Sequence, residues 1–210
     1  MSDRPGLRER KKQRTREAIS AAAISMFLDA GFDQVSVAQV ADAAEVSKRT
    51  LFAYFPTKED LVLHRFADHE TESGRVIRLR AARQSPLTAL RDHFVDGLNR
   101  RDPITGLNDE PQVLALYKMV LETPALAARL LQFNARSFEA VAAALADTTA
   151  VTGTAARLAA AQIVGVIWTL ATDNATALAG GMTADARLPE ASAAADLGFA
   201  MLRGGVKLGP

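Results

Sequence analysis

The sequence predicts an all-α protein, and three observations carry that reading. Apolar residues recur every three or four positions along most of the chain, as in the stripe Ile19, Ala22, Ala23, Met26, Phe27, Ala30. Helix punctuation brackets such stripes: Ser36, Ser47, Thr57, Ser85 and Thr123 stand before them, and Gly31 and Pro56 after. No Asn-Gly or Asp-Gly turn lies between alternating segments, so nothing signals a hairpin.

Composition narrows the class further. With 210 residues and 49% hydrophobic content the chain can bury a core in one or two domains. It has no cysteine, which excludes a disulfide framework or a thiolate metal site and fits a reducing cytoplasm. The basic N-terminus is followed by no apolar segment of the signal-peptide kind, so a cytoplasmic protein is expected. The net charge is only +1, but it is unevenly spread. Arg4, Arg8, Arg10, Lys11, Lys12, Arg14 and Arg16 face the single acid Glu9 within thirteen positions. Residues 1–14 therefore read as a basic arm suited to nucleic-acid phosphates.

The first apolar stripe begins near Thr15 and ends at Gly31, a natural C-cap. Ser36 and Gln39 then form a capping-box pattern that opens a short helix with Val37, Val40, Ala41 and Ala44 at helical spacing. Ser47 offers a second N-cap, and Pro56 stops the helix it opens, because the residue before a proline is pushed out of the helical region. Helix, tight turn and helix make a helix-turn-helix unit over 15–56, with Phe27, Phe32, Val40, Leu51 and Phe55 as its expected core. Lys48 and Arg49 break a local rule. They occupy the first turn of the second helix, where the dipole disfavours cations by about 0.3–1 kcal/mol each. Such a breach without visible compensation points to function, here the meeting of DNA phosphates and guanine edges.

Residues 15–66 resemble the DNA-binding domain of the TetR family of bacterial transcriptional regulators. The resemblance is carried by Ala30-Gly31-Phe32, Ser36-Val37-Ala38-Gln39-Val40-Ala41, Val46 through Phe55, and Thr57-Lys58-Glu59-Asp60-Leu61. It implies base contacts from Lys48, Arg49, Thr50 and Phe52 and phosphate contacts from Ser36, Ser47, Tyr54 and Lys58. The chain departs from the family at Ala38 and Val37, which lack the hydrogen-bonding groups found there in some members. That leaves Gln39 as a candidate substitute contact.

Residues 57–210 read as a second, helical domain. The helix capped by Thr57 is expected to run to about Arg83, with Gly74 as the weak point that connects the two domains. His64 and His69, five apart, do not share a helical face as metal ligands and read as surface or interface residues. Further helices are expected from Pro86, Pro111 and Pro124, with a polar loop over 100–110. The stretch 154–178 is the most apolar. Arg157, Gln162, Asp173 and Asn174 interrupt it too often for a membrane span, so it reads as a helix buried between neighbours. A last helix is expected over about 190–203. The small residues of these two helices suit a four-helix interface between two copies. The resemblance implies the same homodimer and a small-molecule inducer, with aromatic antibiotics, pathway intermediates and fatty-acyl thioesters all found among relatives.

Candidate ligand-lining residues are His93, Phe94, Tyr117, Met119, Phe133, Asn134, Trp168, Asp173 and Asn174, apolar groups with a few polar handles. Asp173 and Asn174 stand out because a buried polar side chain must find a partner. The resulting expectation is a repressor that binds a palindromic operator as a dimer and leaves it when ligand binds, with no cofactor and no metal. Two rival readings are a DNA-binding regulator without a ligand and a helical enzyme. No nucleophile elbow, P-loop, dinucleotide fingerprint or zinc-protease motif supports the enzyme.

Overall fold

A computed structural model describes residues 6–67 and 69–204. Arg4, the first cation of the predicted arm, lies outside the described residues. Those residues form ten α-helices and one 3-10 turn, with no strand among them. The helices are α1 (Leu7–Ala30), α2 (Val37–Ala43), α3 (Lys48–Tyr54), α4 (Asp60–Ala67), α5 (Glu72–Leu79), α6 (Pro86–Asn99), α7 (Pro111–Glu122), α8 (Pro124–Thr148), α9 (Gly153–Ala179) and α10 (Ala184–Gly204). The chain separates into two compact units. One contains the residues up to Arg65 together with Met119–Arg129; the other contains 66–118 and 130–210.

In the first unit α1 packs on α2, and α2 on α3. All five expected core residues are buried, joined by Ile19, Val35, Leu61, Val62 and Leu63. Helix α1 starts eight residues before the expected Thr15, so the basic segment is helical from Leu7 onward. Its Arg, Lys and Gln residues are good helix formers, and no glycine or proline follows Gly6 to stop them. His64, read as a surface or interface residue, is buried and meets the Phe55 ring edge-on with centroids 5.6 Å apart.

The second unit has its core along α5, α6, α8, α9 and α10, around Ile77, Leu90, Phe94, Leu98, Val141, Leu145, Ile163 and Phe199. The long helix expected from Thr57 to Arg83 is two helices, α4 and α5, separated by a turn over 69–71. Gly74 is not the break. It is buried inside α5, where a Cβ would lie 2.7 Å from the Ala140 carbonyl of α8, so its missing side chain permits a close helix crossing. In the turn, His69 Nδ1 lies 2.6 Å from Glu72 Oε2, and His93 of α6 brings Nε2 to 3.2 Å from Glu72 Oε1. Burial alone would push the Glu72 carboxyl up. The hydrogen bonds and charge of the two histidines overrule it and hold the group well below the usual carboxylate range.

The 100–110 segment, read as a polar loop, turns inward. Thr105, Leu107 and Asn108 are buried, and the Asn174 side chain of α9 donates to the Thr105 carbonyl at 3.0 Å. Gly106 has φ +71°, and a Cβ there would lie 1.9 Å from the Ala171 carbonyl of α9. Helix α10 also begins earlier than expected and contains Pro189. The Asp109 carboxylate accepts from Ala184 N–H at 2.8 Å and Thr183 Oγ1 accepts from Ala186 N–H at 3.2 Å, which starts the helix ahead of the proline.

Helix α9 is long and apolar enough to cross a membrane by length and composition, yet only 22% of its most apolar window is buried within the chain. The expectation of a helix buried on all sides is therefore corrected. One face packs inward through Ala156, Ala160, Ile163 and Leu170, while Leu158, Ala161, Gly165 and Thr169 are exposed.

Two outcomes follow from this packing. Gly106→Ala is expected to destabilise the protein by about 2–5 kcal/mol in urea unfolding, since the substitution adds left-handed strain to a backbone clash. Glu72→Gln is expected to cost about 1–3 kcal/mol at neutral pH. Because the folded carboxyl is depressed, its contribution is complete above the unfolded value near about 4.3 and shrinks as pH falls below it. Urea midpoints of the two proteins should thus converge in acid.

Candidate nucleic-acid interface

Two helices of seven residues each carry the predicted contacts, and each is closed by its own side chains. Ser36 Oγ accepts from Gln39 N–H at 3.3 Å while Gln39 Oε1 accepts from Ser36 N–H at 2.8 Å, a complete capping box. Ser47 Oγ accepts from Thr50 N–H at 3.0 Å, and the Ser47 and Thr50 hydroxyls share a further hydrogen bond of 2.8 Å. These bonds leave the Ser36 hydroxyl proton and the Gln39 NH2 group free to donate outward.

The first turn of α3 presents Lys48 and Arg49, both exposed and without an ion pair or hydrogen bond among the described residues. Phe52, one turn on, is 46% exposed, which is unusual for a phenylalanine on a helix whose Leu51 is fully buried. Thr50 and Tyr54 are half-buried beside them. A cation pair, a hydroxyl and an apolar ring on one short helix can read a duplex edge, the cations meeting guanine or phosphate and the ring a thymine methyl.

Lys58 is placed differently. Its ammonium donates to the Phe32 carbonyl at 2.5 Å and stands 4.3 Å from the Phe32 ring centroid and 5.4 Å from that of Phe27. Nearby, Thr57 and Asp60 cap each other's backbone, and Asp60 Oδ1 receives Arg129 from α8 through Nε at 3.0 Å and Nη2 at 2.8 Å. Arg129 is the element that local patterning missed. It lies 69 residues from Asp60, and no periodicity connects the two. The turn between α2 and α3 also holds a surprise, since Glu45 has φ +54°, a left-handed conformation usually left to glycine.

The candidate ligand residues are divided between the two units. Met119 belongs to the unit with α1–α3, and the others lie in the second unit. Phe94 and Phe133 are buried, while His93, Tyr117, Asn134 and Trp168 are half-buried. Tyr117 donates its hydroxyl to the Pro103 carbonyl, and burial, with the Asp102 carboxylate adding, pushes its phenol up. Asp173 is exposed, contrary to the burial that singled it out. Asn174 is buried but already satisfied, donating to Thr105 and accepting from Arg187 Nε at 3.1 Å, so it braces α9 against α10.

A capped pair of short helices with unpaired cations on the second defines a helix-turn-helix protein. A family model described as bacterial regulatory proteins of the tetR family matches residues 19–64. The HTH-type transcriptional regulator TcmR of Streptomyces glaucescens is 34% identical over 130 residues, which is 61% of this chain and 57% of that relative. The chain therefore aligns with little more than half the length of this curated relative. Among solved structures, Salmonella enterica GusR matches with TM-score 0.57 at 19% identity, over 93% of this chain and 96% of that one. Thermus thermophilus FadR, a transcriptional repressor solved with lauroyl-CoA, matches with TM-score 0.55 at 19% identity over the same shares. NalD of Pseudomonas aeruginosa, a secondary repressor of a multidrug efflux pump, matches with TM-score 0.53 at 20% identity, over 90% of this chain and 97% of that one. At these identities the structural likeness concerns the fold. Residues 19–64 are thus similar to the tetR family of bacterial regulatory proteins.

Glu45→Gly is expected to raise stability by up to about 1 kcal/mol, because it removes left-handed strain from the turn. A higher urea midpoint at unchanged slope would record it; a lower one would show that the Glu45 side chain stabilises the turn.

Proposed function

We propose that the protein is a transcriptional regulator that binds duplex DNA through α3. The observation that carries this reading is the exposed, unpaired Lys48–Arg49 pair on the first turn of α3 within residues similar to the tetR family. Lys48, Arg49, Thr50 and Phe52 act on base edges, Ser36, Ser47 and Tyr54 on phosphates, and Gln39 supplies a donor beside them. The exposed cations Arg8, Arg10, Lys11, Lys12 and Arg14 of α1 add sequence-independent attraction.

The regulator acts as a homodimer through α9 and α10. Support comes from the outward apolar stripe of α9 and its companion on α10, where Pro189, Ala193, Leu197, Ala200 and Met201 are exposed. A second copy accounts for this surface better than lipid does, because Arg157 and Asp173 interrupt α9 and both are exposed. Two recognition helices in a dimer meet half-sites about 34–36 Å apart, one duplex turn, and so require a palindrome. Repression is carried over from the structural neighbours FadR and NalD, both repressors, and release by a small molecule from FadR, which was solved with lauroyl-CoA. His93, Phe94, Tyr117, Phe133, Asn134 and Trp168 remain the candidate ligand contacts. The ligand acts by preferring one of two conformers, with a typical coupling of about 1–3 kcal/mol. No catalytic activity is assigned.

The test is selection of randomised duplex DNA by the purified protein at near-physiological salt, with Lys48→Ala/Arg49→Ala in parallel. Recovery of one palindromic motif by the parent protein alone is the expected result. Motif-free, salt-sensitive retention by both proteins would overturn the assignment of α3 as the reading helix.

A further inference from the structure

We infer that Lys58 is a positioning residue of the DNA-binding face and not one of its phosphate contacts, an inference that rests on the DNA-binding reading above. Its backbone is held on one side. Thr57 N–H donates to Asp60 Oδ2 at 3.1 Å, Asp60 N–H donates to Thr57 Oγ1 at 3.2 Å, and Arg129 clamps the same carboxylate. From that fixed base the side chain reaches back to the loop between α1 and α2. There it meets the Phe32 carbonyl and the faces of Phe32 and Phe27, two rings packed 5.0 Å apart in the core.

The carbonyl needs this partner. No backbone amide among the described residues donates to it, and Phe32 itself is buried, so loss of the ammonium leaves a strong acceptor short of a donor. A phosphate could recruit Lys58 only by breaking a charge-assisted hydrogen bond and two cation–ring contacts. Phe32 begins a short loop whose second apolar anchor is the buried Val35 and whose far end is Ser36. With only three residues between Phe32 and Ser36, the place of the Phe32 carbonyl limits where the Ser36 hydroxyl can lie. Lys58 thus acts on DNA through Ser36.

The experiment compares the full-length parent, Lys58→Met, Ser36→Ala and the double variant on the selected duplex across a salt series. Lys58→Met is expected to weaken binding about tenfold and to leave the salt slope unchanged, whereas a lost phosphate contact lowers the slope by about 0.9. The Ser36→Ala effect should largely vanish in the Lys58→Met background, since coupled residues are non-additive. In the free protein, amide exchange should quicken over 32–37 and stay unchanged over 48–54. Lys58→Gln, which keeps a donor without the charge, should recover part of the affinity. A slope reduced by about 0.9 with additive Ser36 and Lys58 effects would overturn the inference. So would exchange that quickens throughout α1 and α3, the sign of a general core residue. If the parent protein selects no motif at all, the DNA reading falls and the positioning role with it, while the exchange data still report whether the loop is held.

Discussion

A helix of seven residues has too few internal hydrogen bonds to persist alone in water, and both helices that present the candidate interface are that short. Everything at the interface therefore depends on what holds them. Val40 and Ala41 on α2, Leu51 on α3 and Phe55 at its end are buried with Phe27 and Ile19 of α1. Capping completes the arrangement by satisfying end groups that burial cannot reach, and both caps are worth about 1 kcal/mol each. With the inner face so committed, the outer face can carry Lys48, Arg49 and an exposed Phe52. Stability and recognition are divided between opposite sides of the same few residues.

The same unit shows how a cation can serve either purpose. Lys48 and Arg49 have no partner among the described residues, whereas Lys58 has a carbonyl and two ring faces. Charge alone does not separate them. The difference lies in position: the first pair projects from a helix start into solvent, and Lys58 lies between two loops that approach closely. Asp60 is likewise shared between its own helix cap and Arg129, so the α7–α8 corner is part of the DNA-binding unit.

In the second unit, close approach of backbones replaces large side chains as the organising device. Gly74 admits α8, Gly106 admits α9, and Gly198 sits with its Cβ position 2.9 Å from Val166. Buried polar groups fill the remaining gaps in register, with Asn174 joining Thr105 and Arg187. Each such contact admits one arrangement of the helices, which gives the unit specificity that an alanine-rich core would otherwise lack.

The helical class, the capping box at Ser36 and the N-cap at Ser47, the start of α6 at Pro86 and the five-residue core of the first unit were legible in the sequence, because each follows from neighbours within one or two turns. Other features were not. Helix α1 begins at Leu7 because helix propensity runs through the basic segment that its charge had marked as an arm. The segment 100–110 looked polar, yet Thr105 and Asn108 are buried, because Asn174 of α9 donates to the Thr105 carbonyl and Asn108 donates to the Arg101 carbonyl. Pro189 looked like a boundary, but Asp109 and Thr183 start α10 before it. His64, read as a surface or interface residue, is buried, and Asp173, read as buried, is exposed. By itself, then, the sequence determined which segments are helical and which short helix carries unpaired cations, since both are set by local hydrogen bonding, dipoles and periodicity. Only the tertiary structure decided where Lys58, Arg129 and Asn174 direct their polar groups, because their partners lie 13 to 69 residues away, and contacts over such separations exist only once the helices have packed.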